Sequence, residues 1–255
     1  SLDSLQGIGE LRNLNVQYKD KFMHLNSIVV NAKKEKQARE LRMSSDLAEA
    51  SATGNFYFSD MFRDLQRLLT ELKLNIGNDP VQIAEYYRGP LPITKDYAVD
   101  FTVKMKDLKP LTHLLSLDLE VSPNVLLEGN FTSGITTMLT AYSSIPTLRY
   151  ENFAFHNTHL DINTSKLKDS TEVLAMVFVR SDKQEIQGVA TEDLVTEVIW
   201  DRDHVAFSLD IDQQKMKNNV RLRGTVDFHD STYIRLKNST FQLMSKNWTV
   251  DNGAL

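Results

Sequence analysis

The chain has 255 residues, 41% of them hydrophobic and 25% charged, with a formal net charge of −5 and no cysteine. That composition is ordinary for a globular protein and gives room for one large β domain or two smaller ones. The acidic balance argues against nucleic acid as a partner, because phosphate binding needs a concentrated basic surface, and the missing cysteines exclude disulfides and thiolate metal sites.

Nothing in the sequence forms a run of 18 apolar residues, so no segment reads as a membrane-spanning helix. The chain opens at Ser1 rather than Met. This reads as a processed or excised piece, with room for a signal or anchor upstream.

In chain order, residues 9–58 alternate with a two-residue period. "LNVQY" puts Leu14, Val16 and Tyr18 on one side, and "ATGNFYF" does the same for Ala52, Gly54, Phe56 and Phe58. "NAKKEKQARELR" between them has a helical composition, and its lysines, interrupted by Glu35, read as a solvated face.

Residues 59–88 differ in kind. Met61, Phe62, Leu65, Leu68, Leu69 and Leu72 follow the spacing of an amphipathic helix, with Ser59 as the expected N-cap and Asp60 at the positive end. "IGNDP" stops it, and Asp79 followed by Pro80 starts a second, short helix.

From Tyr97 the two-residue period returns, with Val99, Phe101, Val103 and Met105 on the same side. "DLKPLTHLLS" predicts a short helical crossing with Leu108, Leu111, Leu114 and Leu115 turned one way. Many short strands follow, including 185–190 and 193–199, separated by Ser, Pro, Asn, Asp and Gly turns. Their connections are too short for helical crossovers, so the sheet is antiparallel. The chain thus divides into strands over 1–58, a helical insertion or cap over 59–90, and a curled antiparallel sheet over 91–255 continuous with the first strands.

"VRLRGTVDFHDSTYIRLKNSTFQL" (220–243) shows the pattern best, with apolar residues on one side and Arg, Asp, His and Lys on the other. Four segments read apolar-x-Gly-x-apolar, at Gly54, Gly129, Gly188 and Gly224, and each glycine has the parity of the dry face. Glycine inside a strand marks a bend or a close approach, which here would curl the sheet into a trough.

No nucleophile motif, P-loop or dinucleotide fingerprint occurs. His159 and Asp161 share a strand face while His156 points away, which is a poor zinc geometry. Asp201, Asp203 and His204, with Asp210 and Asp212, read as a solvated sheet face. The N-x-S/T triplets at Asn130, Asn163, Asn238 and Asn247 are the number that chance supplies in so Asn-, Ser- and Thr-rich a chain. The sequence therefore predicts no catalytic site, cofactor or metal.

Three stretches resemble TamB/AsmA-like envelope proteins, as found in Bacteroidetes. They are "ATGNFYFSDMFRDLQRLLTEL", "VDFTVKMKDLKPLTHLLSLDLEVSPNVLLEGNF" and "VRLRGTVDFHDSTYIRLKNSTFQLMSKNWTVDNG", which together cover about half the chain. The resemblance implies a β-taco, a curled sheet with an apolar groove, as an internal fragment of a periplasmic protein of a Gram-negative bacterium anchored in the inner membrane. It implies a conduit for phospholipid acyl chains in outer-membrane biogenesis. An outer-membrane barrel-assembly partner would act through regions outside this fragment.

The lining expected on this reading is Phe56, Phe58, Val125, Leu127, Phe131, Val220, Leu222, Val226, Phe228, Ile234, Leu236, Phe241 and Leu243. The same residues also fit the core of a closed β-sandwich, a binding or adhesion module. The helix at 59–74 fits either a plug at the end of the groove or, the preferred reading, part of the core.

Overall fold

Alternating apolar and polar residues need one face covered, and the chain answers with one open antiparallel sheet. A computed structural model describes residues 6–89, 95–213, 216–228, 232–243 and 246–254. The strands are β1 (Gly7–Tyr18), β2 (Lys21–Glu35), β3 (Ala38–Ser45), β4 (Ala48–Gly54), β5 (Tyr97–Met105), β6 (Leu119–Val121), β7 (Val125–Ser133), β8 (Thr136–Tyr150), β9 (Phe153–Leu167), β10 (Leu174–Ile186), β11 (Val189–Asp201), β12 (His204–Gln213), β13 (Asn218–Phe228), β14 (Thr232–Leu243) and β15 (Lys246–Ala254). Each pairs with its sequence neighbour, except that β5 pairs with β7 and short β6 pairs with β8. β1 and β15 are the two edges, so the sheet does not close.

Three helices leave this plan: α1 (Phe58–Gly77), α2 (Pro80–Tyr86) and α3 (Lys109–Leu114). α1 and α2 form an excursion between the adjacent strands β4 and β5, and α3 lies between β5 and β6. The expected N-cap Ser59 lies inside α1 instead, because the helix begins two residues earlier, with Tyr57 as a cap that makes no side-chain bond. Asp79 does cap α2, accepting from the backbone N–H of Val81 and Gln82, and these bonds hold its carboxyl below the ordinary range.

Helical composition in "NAKKEKQARELR" is overridden, and the segment forms the β2–β3 hairpin with Lys36 in a left-handed turn. Phe56 and Phe58 are not on a strand, since β4 ends at Gly54 and Phe58 opens α1, and the two rings meet edge-on at 5.3 Å. Gly188, expected inside a strand, sits with Gln187 in the β10–β11 turn, where both residues have positive φ, 52° and 80°. Such a pair makes the tightest hairpin connection, and only glycine accepts it freely.

Several long strands bend where an Asn or Asp adopts the left-handed conformation. Asn13, Asn157, Asp193 and Asn238 have φ of 54°, 51°, 54° and 46°. Pairing skips Asn13 and Asn26 between β1 and β2, and skips Pro146, Asn157, Asp182 and Asp193 across β8 to β11, which aligns these breaks into a crease. Register shifts follow between Glu192 and Val195 and between Arg221 and Gly224. An extra residue flips every later side chain to the other face unless the sequence shifts frame with it. It does. In β14 the apolar set runs on even positions through Ile234 and Leu236, then on odd positions at Phe241 and Leu243.

Buried serines fill the widened gaps. Ser239 Oγ accepts from Arg223 N and donates to Arg223 O, both at 3.1 Å, and Ser181 Oγ donates to His156 O at 2.9 Å. Both side chains are fully enclosed.

The core lies under α1. Met61, Leu68 and Phe58 pack with Phe56 on Ala32, Tyr97, Val99, Phe131 and Val173. A second cluster joins Leu114 and Leu111 of α3 to Met23, Leu25 and Leu14, beyond the break at Asn13 and Asn26. α1 is about 30 Å long. It runs from beside β4 to β13, where Asn78 Nδ2 donates to Phe228 O at 3.2 Å. Eight strand spacings along the same path come to about 38 Å, so the sheet bows around the helix.

Candidate functional site

Residues directly opposite in an antiparallel pair share a face, so the pairings trace rows across the sheet. Phe101, Gly129, Ala141, Ile162, Val177, Val198, Phe207, Gly224 and Leu236 form one row. Val103, Leu127, Ser143, Leu160, Val179, Thr196, Leu209 and Leu222 form the next. Nearer the helix lie Val99, Phe131, Leu139, Thr164, Ala175, Trp200, Val205, Val226 and Ile234.

These rows make one apolar face, continuous from β5 to β14. Its character changes with distance from α1. Phe131, Val99 and Tyr97 are buried beneath the helix, whereas Leu127, Leu160, Ile162, Val177, Val198 and Phe207 stay partly exposed. The clusters around α1 and α3 include none of these six.

The expected lining residues divide accordingly. Val125, Leu127 and Phe131 share the face on β7; Val220, Leu222 and Val226 continue it on β13, with Phe228 at that strand's end. On β14, Ile234 and Leu236 meet Val226 and Gly224, and Phe241 meets Val220 across the register shift, with Leu243 next on the same side. Phe56, Phe58, Phe131 and Val125 are packed inside, at 1 to 4% exposure, while Ile234 and Leu243 are open at 36% and 43%. Sequence reasoning passed over the centre of the face, β9 to β12. The signal was present, since Val177 and Val179, then Phe207, Leu209 and Ile211, alternate as regularly as β13 does.

Gly129 and Gly224 occupy the same row, each beside a phenylalanine of the adjoining strand. A Cβ at Gly129 would come within 2.5 Å of Phe101 Cζ, and one at Gly224 within 2.8 Å of Phe207 Cζ. The rings therefore lie across the glycines, keeping the floor apolar where a side chain is missing.

The opposite face is polar and internally neutralised. Arg223 grips Asp210 with both terminal nitrogens, Arg221 meets Asp212 at 2.8 Å, and Arg235 meets Asp227 at 2.9 Å. The Arg223 guanidinium holds the Asp210 carboxyl below its usual range. His204 Nδ1 lies 2.6 Å from Asp227 Oδ1. His159 pairs with Ser144 at 3.0 Å, and His156 faces Thr147. Among the described residues no group of three or more His, Asp or Glu side chains is placed to hold a metal ion. Nor is any described helix long and apolar enough to cross a membrane.

α1 is fixed at the strand ends by buried polar contacts. Lys95 Nζ reaches Asp60 Oδ2 at 2.7 Å, while Tyr97 OH and Ser133 Oγ both donate to Asp64 Oδ2, at 3.0 and 3.2 Å. Burial and the Asp64 carboxylate push the Tyr97 hydroxyl pKa up. Glu71 pairs with Arg67 at 2.8 Å and with Lys166 Nζ at 3.5 Å. Lys166 also donates to the carbonyl of Ser170, and burial draws its pKa below the usual lysine value despite Glu71. Asn75 Nδ2 donates to Thr171 O at 3.1 Å.

The geometry offers extended apolar contact across the sheet. No protein-family model, curated protein or solved structure matches the chain.

Proposed function

We propose that this chain is a non-enzymatic lipid-conduit segment, holding acyl chains of phospholipids in the trough of its curled sheet. One observation carries the reading: Leu127, Leu160, Ile162, Val177, Val198 and Phe207, on two adjacent rows between β7 and β12, remain partly exposed and belong to neither the α1 nor the α3 cluster. Contiguous apolar surface of that extent on a folded chain marks a binding site.

Magnitudes are consistent with transport. Burying a 16-carbon chain completely is worth roughly 13 kcal/mol at about 0.8 kcal/mol per methylene. An open trough covers about half of it and returns about half that value. A chain is then held yet free to slide between equivalent rows.

The resemblance to TamB/AsmA-like envelope proteins supports the same reading. It extends the proposal to the periplasm of a Gram-negative bacterium, to outer-membrane biogenesis, and to a barrel-assembly partner engaged outside this segment.

The test is to purify the chain without detergent and to measure bound phospholipid by native mass spectrometry. Leu160→Asp with Leu222→Asp puts two charges on the exposed rows, away from α1. Bound lipid that is lost in the double variant, with the thermal melt retained, is the expected result. A lipid-free wild type, or a double variant that unfolds, would instead make the face ordinary core and the chain a structural or adhesion module.

A further inference from the structure

α1 presents three stripes, about 100° of rotation per residue separating successive side chains. Met61, Leu68 and Leu72 face the sheet. Asp60, Asp64, Glu71 and Asn75 lie on the flank toward the strand ends, held by Lys95, Tyr97, Ser133, Lys166 and Thr171.

On the other flank Phe62, Leu69 and Ile76 repeat every seven residues and are 54, 52 and 51% exposed. A single exposed apolar residue needs no explanation. Three on one line, with partly buried Leu65 bridging the first two, do.

Because the polar flank is pinned to the strand ends, the Phe62–Leu69–Ile76 flank looks along the strands, over the partly exposed rows. We infer that this stripe is a side wall of the trough, so that an acyl chain lies in the angle between α1 and the sheet. The inference rests on the lipid-conduit reading.

Length supports that occupant. Phe62 to Ile76 spans about 21 Å of helix. Half of the roughly 30 Å hydrocarbon core of a bilayer, about 15 Å, is the reach of one acyl chain. The stripe therefore accommodates one chain running parallel to α1, across the strands.

Site-specific photo-crosslinking tests this. p-Benzoylphenylalanine is placed singly at positions 62, 69 and 76 on the wall, at 222 on the floor, and at 66 on the solvent side of α1. The full chain is then irradiated with vesicles of phosphatidylethanolamine carrying alkyne-tagged acyl chains. Lipid adducts at 62, 69, 76 and 222, several-fold above those at 66, are expected. Adducts at 222 without adducts at 62, 69 and 76 would overturn the wall and leave the groove. Adducts at none of the four would overturn both. Protein–protein products from the wall positions in place of lipid adducts would assign the stripe to a protein contact and also overturn the inference.

Discussion

Phe207 on β12 lies across Gly224 on β13, so close that a Cβ on the glycine would come within 2.8 Å of the ring and 2.5 Å of the Arg235 carbonyl oxygen. Phe101 and Gly129 repeat the relationship at the other side of the same row. The glycine lets adjacent strands approach where the sheet curls, and the ring restores the apolar floor. Gly224→Ala should destabilise the fold by about 1–3 kcal/mol, the usual result of forcing atoms into a packed site. Phe207→Ala should cost less in the Gly224→Ala background than on its own, since the ring clash is then removed while the carbonyl clash remains. Urea midpoints of the two single variants and the double variant measure the difference.

Left-handed Asn238 offers a second test. Its φ of 46° is open to Asn and Gly but costs other residues roughly 1–2 kcal/mol. Asn238→Gly should leave the melting temperature nearly unchanged, while Asn238→Val should lower it. Equal melting of the two variants would show that the crease does not depend on this residue.

The buried Glu71–Lys166 pair should behave asymmetrically. Glu71→Gln alone strands the Arg67 and Lys166 cations and should cost about 3–5 kcal/mol, whereas Glu71→Leu with Arg67→Met and Lys166→Met should recover most of that loss. Lys166 also sets a pH dependence. Its folded pKa is lowered by burial, so between that value and the unfolded value near 10.4 the unfolded chain binds more protons. Stability from this group therefore rises with pH across that alkaline window, and Lys166→Met should remove the rise from a urea titration series.

Asp210 works in the opposite sense. Its pKa is lowered by Arg223, so its stabilisation is present above the unfolded value near 3.9 and is lost as pH falls through the folded value. Arg223→Met should therefore weaken the fold at pH 7 more than at pH 2. An equal loss at both values would show that the pair contributes through packing alone.

Much of the fold is legible in residues that repeat every second position, because a strand face needs only local spacing. The break after Lys237 is legible too, since the apolar frame shifts there from Ile234 and Leu236 to Phe241 and Leu243. The place of α1 is not. Its amphipathic stripe shows in Met61, Leu65, Leu68 and Leu72, but Asp60, Asp64 and Glu71 look like solvated acids until distant Lys95, Tyr97, Ser133 and Lys166 fold beneath them. Phe56, Phe58 and Phe131 likewise look like any dry-face residue, and only the three-dimensional path of α1 buries them. Gly188 matches the pattern of Gly129 and Gly224 in sequence and differs only in being at a turn.

The most direct measurement uses Trp200, one of two tryptophans, on the apolar face opposite Ala175 and Val205. With Trp248→Phe to leave it the sole indole, the protein is mixed with phospholipid brominated along its acyl chains. An acyl chain in the trough brings bromine to the ring, so Trp200 fluorescence should fall in proportion to bound lipid, while the unbrominated lipid should not quench it. Unchanged fluorescence from a folded protein with lipid bound would contradict an acyl chain in this trough.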